Sequence, residues 1–144
     1  RYGFKGTRHV EEAFDVLEKK YPNQLDLKIE GQLPIDKYVE IMKKANIVID
    51  QTSCYSTGVN ALIAMAQGKV VLGGAEPESL LCLGVESSPV INILPSSDSI
   101  VCEIEKLLQN PFSLSEIGMR SREFVRDNHD HIKIAQKYID IWSG

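Results

Sequence analysis

The sequence predicts an α/β domain, a parallel sheet with helices on both faces. Two observations predict it. Short runs rich in β-branched residues, "NIVID" at 46–50, "KVVLGG" at 69–74 and "VINIL" at 90–94, read as strands. Longer segments with apolar residues at helical spacing alternate with them. Strands alternating with helices imply βαβ units and hence a parallel sheet.

The elements follow in chain order. Residues 8–20, "RHVEEAFDVLEKK", place Val10, Ala13, Phe14 and Leu17 at i, i+3, i+4 and i+7, one face of a helix. Thr7 is placed to cap it, and Glu11 and Glu12 to complement its positive end. "LDLKIE", 25–30, alternates apolar and polar and reads as a strand. Pro34 suits the start of a second helix, with Tyr38, Ile41, Met42 and Ala45 as its inner stripe. Strand 46–50 comes next, then an almost wholly apolar helix, 58–67, then strand 69–74. A broken segment spans 75–89, with a short helix near Glu78–Leu83 and "LLCLG" as a buried turn. Strand 90–94 follows. Three helices close the chain. In 97–109, Ile100, Val101, Ile104, Leu107 and Leu108 share a face. In 114–127, Leu114, Ile117, Ser121, Phe124 and Val125 do so. In 130–142, Ile132, Ala135, Tyr138, Ile139 and Trp142 do so. Core packing is expected of Phe14, Tyr38, Phe124 and Trp142.

Composition narrows the function. The 144 residues make one domain, and 43% hydrophobic residues suffice for a core. The net charge is −4 and the charges are well mixed, which argues against a nucleic-acid or anionic-membrane surface. The aromatics are not interleaved with basic residues. The longest apolar run, Ala61 to Ala66, is too short to span a bilayer, and no signal-peptide pattern is present. Cys54, Cys82 and Cys102 fit neither a disulfide framework nor a zinc spacing, so they read as reduced, cytosolic thiols. The start at Arg1, without Met, reads as the start of a fragment.

Parallel sheets bind ligands beyond the carboxyl ends of their strands. The loops to watch are therefore 31–34, 51–57 and 73–78. The helix at 58–67 opens on Gly58, and a glycine lets another group approach the backbone closely. The first turn of a helix offers N–H groups and a partial positive charge, which suit a phosphate. The same residues suit a plain buried helix after a tight turn. "RYGFKGT" sets Arg1 and Lys5 in a Gly-rich loop before a helix, a plausible diphosphate clamp or two solvated charges. Asp50 and Gln51 end a strand and offer polar contacts.

"RYGFKGTRHV", then "ANIVIDQ", then "GVNALIAMAQGKVV", in this order and spacing, resemble the C-terminal, donor-binding half of a GT-B glycosyltransferase. The group in view is the large retaining family that includes glycogen synthase-like enzymes, also called group 1. The tail "GMRSREFVRDNHDHIKIAQKYIDIW" resembles that family's closing helices, so the likeness spans nearly all 144 residues. The resemblance implies a Rossmann-like half of a two-domain enzyme, with 1–144 as the nucleotide-sugar-binding C-terminal domain. It implies that Arg1 and Lys5 bind the donor diphosphate, together with the amides of Gly58 and Val59. Loop 31–34 would lie by the base, and Tyr55, Ser56, Thr57 and Ile63 would sit at the donor sugar or ribose.

No cofactor and no metal are expected, because cations and amides would stabilise the departing nucleoside diphosphate. The partners implied are a nucleotide-diphosphate sugar and an acceptor glycan, free or lipid-linked, held by an N-terminal domain. The setting implied is cytoplasmic polysaccharide or glycoconjugate synthesis, with the intact protein peripheral at the membrane. The resemblance assigns no catalytic residue here. The family usually has two glutamates eight positions apart around this helix. Tyr55 and Ile63 stand in their places, and Val70 replaces the usual proline. These departures give the contrasting reading, a non-catalytic Rossmann-like binding module. The family's first strand of this half lies upstream of Arg1, so an open sheet edge and a homodimer of the fragment are expected.

Other readings are weaker. Asp50 at a strand end suits a receiver domain, but no acidic pair or later Lys is in register. No G-x-G-x-x-G follows a strand. His129 and His131, two apart, point to different faces of a helix and make no metal pair. Cys82 has no cationic neighbour in sequence to activate it.

Overall fold

The computed structural model describes residues 5–144. Seven helices and three strands are formed within them: α1 Thr7–Lys20, α2 Ile35–Lys44, β1 Ile47–Ile49, α3 Val59–Ala66, β2 Val70–Gly73, α4 Pro77–Leu83, β3 Ile91–Asn92, α5 Ser97–Gln109, α6 Ser113–Asn128 and α7 His131–Ser143. The sheet is parallel throughout, in the order β1-β2-β3. Ile47 pairs with Val70 and Ile49 with Leu72, while Leu72 pairs with Ile91.

The central strand β2 explains why the sheet is covered twice. All four of its residues are buried. Val70 and Leu72 join Ala13 and Leu17 of α1 and Ile100, Ile104 and Leu107 of α5 in one core. Val71, between them, points the other way and joins Met42 of α2 and Ala61, Ala64 and Met65 of α3. Side chains of a strand alternate faces, so an unbroken apolar strand needs a core on each side. Fully burying a side chain such as Leu72 contributes about 1.5–3 kcal/mol. The expected doubly covered α/β fold is therefore the one present.

The elements differ from the sequence reading at four places. Helix α1 is not capped by Thr7, which is its first residue. Its N-cap is Gly6, in the left-handed region at φ 69°, and no side chain caps the helix. A side chain on Gly6 would collide with Oγ1 of Thr52, so packing against the loop after β1 sets where α1 starts. Glu11 and Glu12 then fall beyond the first turn.

Residues 25–30 form no strand. Leu25 and Leu27 do turn toward the core around α1 and α5, as their alternation requires. Alternation only decides which residues face inward. A strand also needs a neighbouring backbone, and β1 is paired with β2 alone among the described residues.

Helix α7 buries none of its residues. Ile132, Tyr138, Ile139 and Trp142 are exposed, Trp142 at 79%, so the expected core role of Trp142 and of this stripe does not hold. Asp130 caps the helix through Ile132 N and Lys133 N, and the Tyr138 and Trp142 rings lie 5.7 Å apart. Capping and periodicity form this helix, and no residue of it is buried among the described residues. The "LLCLG" turn is likewise not buried. Helix α4 has no buried residue and ends at Gly84 in the left-handed region. Phe14, Tyr38 and Phe124 do pack against the two cores.

Two contacts fix the outer helices. The Lys20 ammonium and the Tyr21 hydroxyl both donate to Glu105 of α5 at 3.0 Å. The Lys20 and Tyr21 hydrogen bonds hold the Glu105 carboxyl below its ordinary range. A lowered carboxylate pKa means that this tie is made above the ordinary range and lost as pH falls through the folded value.

On the other face, Gly118 of α6 lies against the backbone of Gly68, in the turn between α3 and β2. A Cβ on Gly118 would overlap the Gly68 carbonyl oxygen and lie 3.2 Å from its carbon. Backbone cannot swing aside as a side chain can. Gly118→Ala is expected to destabilise the protein by about 1–3 kcal/mol, seen as a lower urea midpoint at unchanged slope. An unchanged midpoint would show that α6 shifts at no cost.

Candidate functional site at the carboxyl edge of the sheet

Three chain segments meet where the strands end. The first is the loop after β1. The Asp50 N–H donates to the Leu72 carbonyl at 2.9 Å, which carries the β1–β2 pairing one residue past the strand. The chain then turns, and Thr52 N donates to the Lys5 carbonyl at 3.1 Å. This bond brings the second segment, Lys5–Gly6 at the head of α1, to the same edge. The third segment follows β2. The Thr57 hydroxyl donates to the Gly74 carbonyl at 3.3 Å, and Glu76 N donates to the Tyr55 carbonyl at 3.0 Å. Asn92, at the end of β3, accepts from Ala75 N at 2.8 Å and donates to Glu76 Oε1 at 3.0 Å. All three strand ends thus hold the loops together.

The head of α3 answers what the bare glycine is for. Gly58 is its N-cap, with ordinary extended backbone at φ −83°, so no special dihedral demands glycine. Space does. The Asp50 carboxylate reaches across eight residues and accepts the Gly58 N–H at 3.0 Å. A Cβ on Gly58 would lie 2.6 Å from Asp50 Oδ2 and 3.1 Å from Gln51 Nε2. The group that approaches this backbone is the chain's own carboxylate, which accepts the N–H of the N-cap residue itself and so lies at the positive end of the helix dipole. Behind it, burial and then the Asp50 charge push the Tyr38 hydroxyl above its ordinary range. That hydroxyl is buried without a partner among the described residues.

The residues expected at the site are distributed as follows. Arg1 lies outside the described residues. Lys5 is exposed, at the edge formed by its own carbonyl bond to Thr52. Val59 opens α3 and is exposed at 73%, and Tyr55 is exposed at 74%. Ser56 is exposed and Thr57 is partly buried. Ile63 lies farther along α3 and is exposed at 40%. It is an apolar side chain with no hydrogen-bonding group. Loop 31–34 is largely exposed, and Gln32 takes a positive φ of 52°. The structure thus brings together Lys5, the 50–58 loop and the 74–76 loop. Glu76 and Asn92 went unforeseen, since their role is to hold backbone and no motif announces it.

A cavity of about 600 Å³ adjoins this edge, lined by Tyr55, Ser56 and Thr57 on one side and by Glu78, Leu80 and His129 on others. Burial, and then the charge of Lys137, hold His129 below its ordinary pKa. The Phe124 ring stands 6.0 Å from that of His129. Helices α4 and α6 supply this wall from far along the chain, beyond the reach of local patterns. Among the described residues no cluster of three or more His, Cys, Asp or Glu is placed to hold a metal. No helix among them is long and apolar enough to cross a membrane.

No protein-family model matches this sequence, and no curated protein matches it. Solved structures do match its fold. The sucrose-phosphate synthase of Thermosynechococcus elongatus superposes with a TM-score of 0.61 at 19% identity, over 93% of this chain and 35% of its own. Alr3699/HepE of Anabaena, solved in complex with UDP and glucose, superposes with a TM-score of 0.61 at 16% identity, over 95% of this chain and 37% of its own. The same protein in complex with UDP-glucose gives the same values. The chain therefore spans about a third of the length of the structures it matches.

Proposed function

We propose that this chain, which has the Rossmann-like fold of one half of a GT-B glycosyltransferase, is the donor-binding half of an enzyme that transfers a sugar from a nucleotide-diphosphate donor. The observation that carries the reading is the meeting of Lys5, the 50–58 loop and the head of α3 at the carboxyl edge of the sheet. That edge is where open parallel sheets take nucleotides. The solved neighbour that holds UDP-glucose supports the ligand class.

In this reading Lys5, with Arg1, faces the diphosphate, and the amides of Gly58 and Val59 complete its seat. Tyr55, Ser56 and Thr57 border the donor sugar. The chemistry is electrostatic: a cation and backbone dipoles stabilise charge that builds on the leaving diphosphate. No metal is invoked. The acceptor, a glycan of polysaccharide or glycoconjugate synthesis, would lie on a separate domain.

The contrasting reading is a non-catalytic binding module. One observation favours it: the side chains where the family's two glutamates are expected are Tyr55 and Ile63, both exposed. Neither supplies a carboxylate.

Calorimetric titration of the full-length protein with UDP, GDP, ADP and the matching monophosphates tests the proposal. One diphosphate is expected to bind at least about tenfold tighter than its monophosphate, about 1.4 kcal/mol. Silence across the whole panel would overturn donor binding and leave the non-catalytic module.

A further inference from the structure

The Asp50 carboxylate stands where a ligand phosphate would be expected. Its backbone is fixed by the bond from Asp50 N to Leu72 O at 2.9 Å, and its Oδ2 takes the Gly58 N–H at 3.0 Å. The space that glycine leaves at 58 is filled by this side chain, 2.6 Å from the position of the missing Cβ. Among the described residues Asp50 takes part in no ion pair. Its charge lies directly at the amide that an incoming anion would take. At short range in a partly buried site, two like charges repel strongly, and the helix end has already spent an N–H and part of its dipole on the carboxylate.

We propose that Asp50 is the specificity-determining residue of this site, an internal carboxylate that competes with a ligand's phosphate for the Gly58 N–H. The inference rests on the diphosphate-binding reading above. Its consequence is selection by size. A lone inorganic anion gains little by displacing Asp50. A ligand that also engages Lys5, the 55–57 loop and the neighbouring cavity gains enough to do so.

Asp50→Asn tests this. The amide keeps the shape and an oxygen for Gly58 but carries no charge. Inorganic pyrophosphate is titrated calorimetrically into the full-length protein and the variant, while the Gly58 amide resonance is followed. The expected result is about tenfold tighter pyrophosphate binding by Asp50→Asn, with the Gly58 amide shifting at about tenfold lower pyrophosphate in the variant. Asp50→Ser, which also removes the charge, is expected to give a gain in the same direction, and this guards against a folding defect in either variant alone. Equal or weaker binding by both variants, or no binding by any of the three proteins, overturns the proposal. UDP titration separates the two readings. UDP binding without a pyrophosphate gain keeps the diphosphate site and removes the role of Asp50. A pyrophosphate gain without binding of any nucleotide keeps Asp50 as the competitor and removes the nucleotide.

Discussion

Lys5→Ala is expected to weaken nucleoside-diphosphate binding by about ten- to a hundredfold. The figure follows from the loss of one charge-assisted hydrogen bond, about 1.5–3 kcal/mol. Lys5 is well suited to this test because its two roles separate. The carbonyl oxygen of residue 5 takes the Thr52 N–H at 3.1 Å, and alanine keeps that bond. The side chain is exposed and no ion pair engages it among the described residues. Stability is therefore expected to stay within about 0.5 kcal/mol, so a loss of binding reports on the ammonium alone. Lys5→Arg keeps the charge in a larger, planar group and is expected to restore part of the affinity. Binding to the wild-type protein is expected to fall with added salt, and less so in Lys5→Ala. Calorimetric titration with UDP, GDP and ADP gives all three comparisons. Unchanged affinity in Lys5→Ala would remove Lys5 from the site.

What the sequence made legible was mostly local. Helix α5 was expected at 97–109 and is found at Ser97–Gln109, because its start carries its own cap, Ser96 Oγ accepting from Ser99 N at 3.2 Å. The three sheet strands were placed correctly, each somewhat shorter than expected. Their unbroken apolar character leaves little choice but a doubly covered sheet. Two of the misses share one physical cause. Periodicity shows which residues share a face, and it is silent on what the face meets. Among the described residues, 25–30 has the right pattern without a paired backbone, and helix α7 has it without a buried residue.

The site shows the same limit. Glycine at 58 signalled that some group comes close to the backbone, and Asp50 and Gln51 were legible as polar residues at a strand end. That these were two halves of one contact was not legible. Side chains that bond a helix start usually belong to its first residues, whereas this one comes from eight residues upstream. Only the pairing of β1 with β2 fixes Asp50 over the helix end. A glycine N-cap with a carboxylate at the preceding strand end is the signal that would have found it.

The loops of the site depend on a second glycine, and Gly74→Ala is expected to damage both stability and binding. Gly74 is buried just past β2. A Cβ there would overlap the carbonyl oxygen of Cys54, and would lie 2.8 Å from its carbon and 3.0 Å from the carbonyl carbon of Tyr55. The atoms in the way are backbone, so either the 54–57 loop or the 74–76 loop has to move. Neither moves alone, because Thr57 bonds the Gly74 carbonyl, Glu76 bonds the Tyr55 carbonyl, and Asn92 ties Ala75 and Glu76 to the end of β3. Overpacking of this kind costs about 1–3 kcal/mol, which for a chain of this size lowers the melting temperature by about 4–8 °C at the middle of that range. The displaced 54–57 loop carries Tyr55, Ser56 and Thr57 and leads into Gly58, so diphosphate binding is expected to fall with it. Gly31→Ala is the matched control. It has open space around its missing Cβ and no positive φ, and its stability is expected to stay within about 0.5 kcal/mol of wild type. Thermal unfolding and UDP titration of both variants decide the matter. If Gly74→Ala melts and binds like Gly31→Ala, the two loops are not held in register by their close backbone contact, and the site is looser than these hydrogen bonds describe.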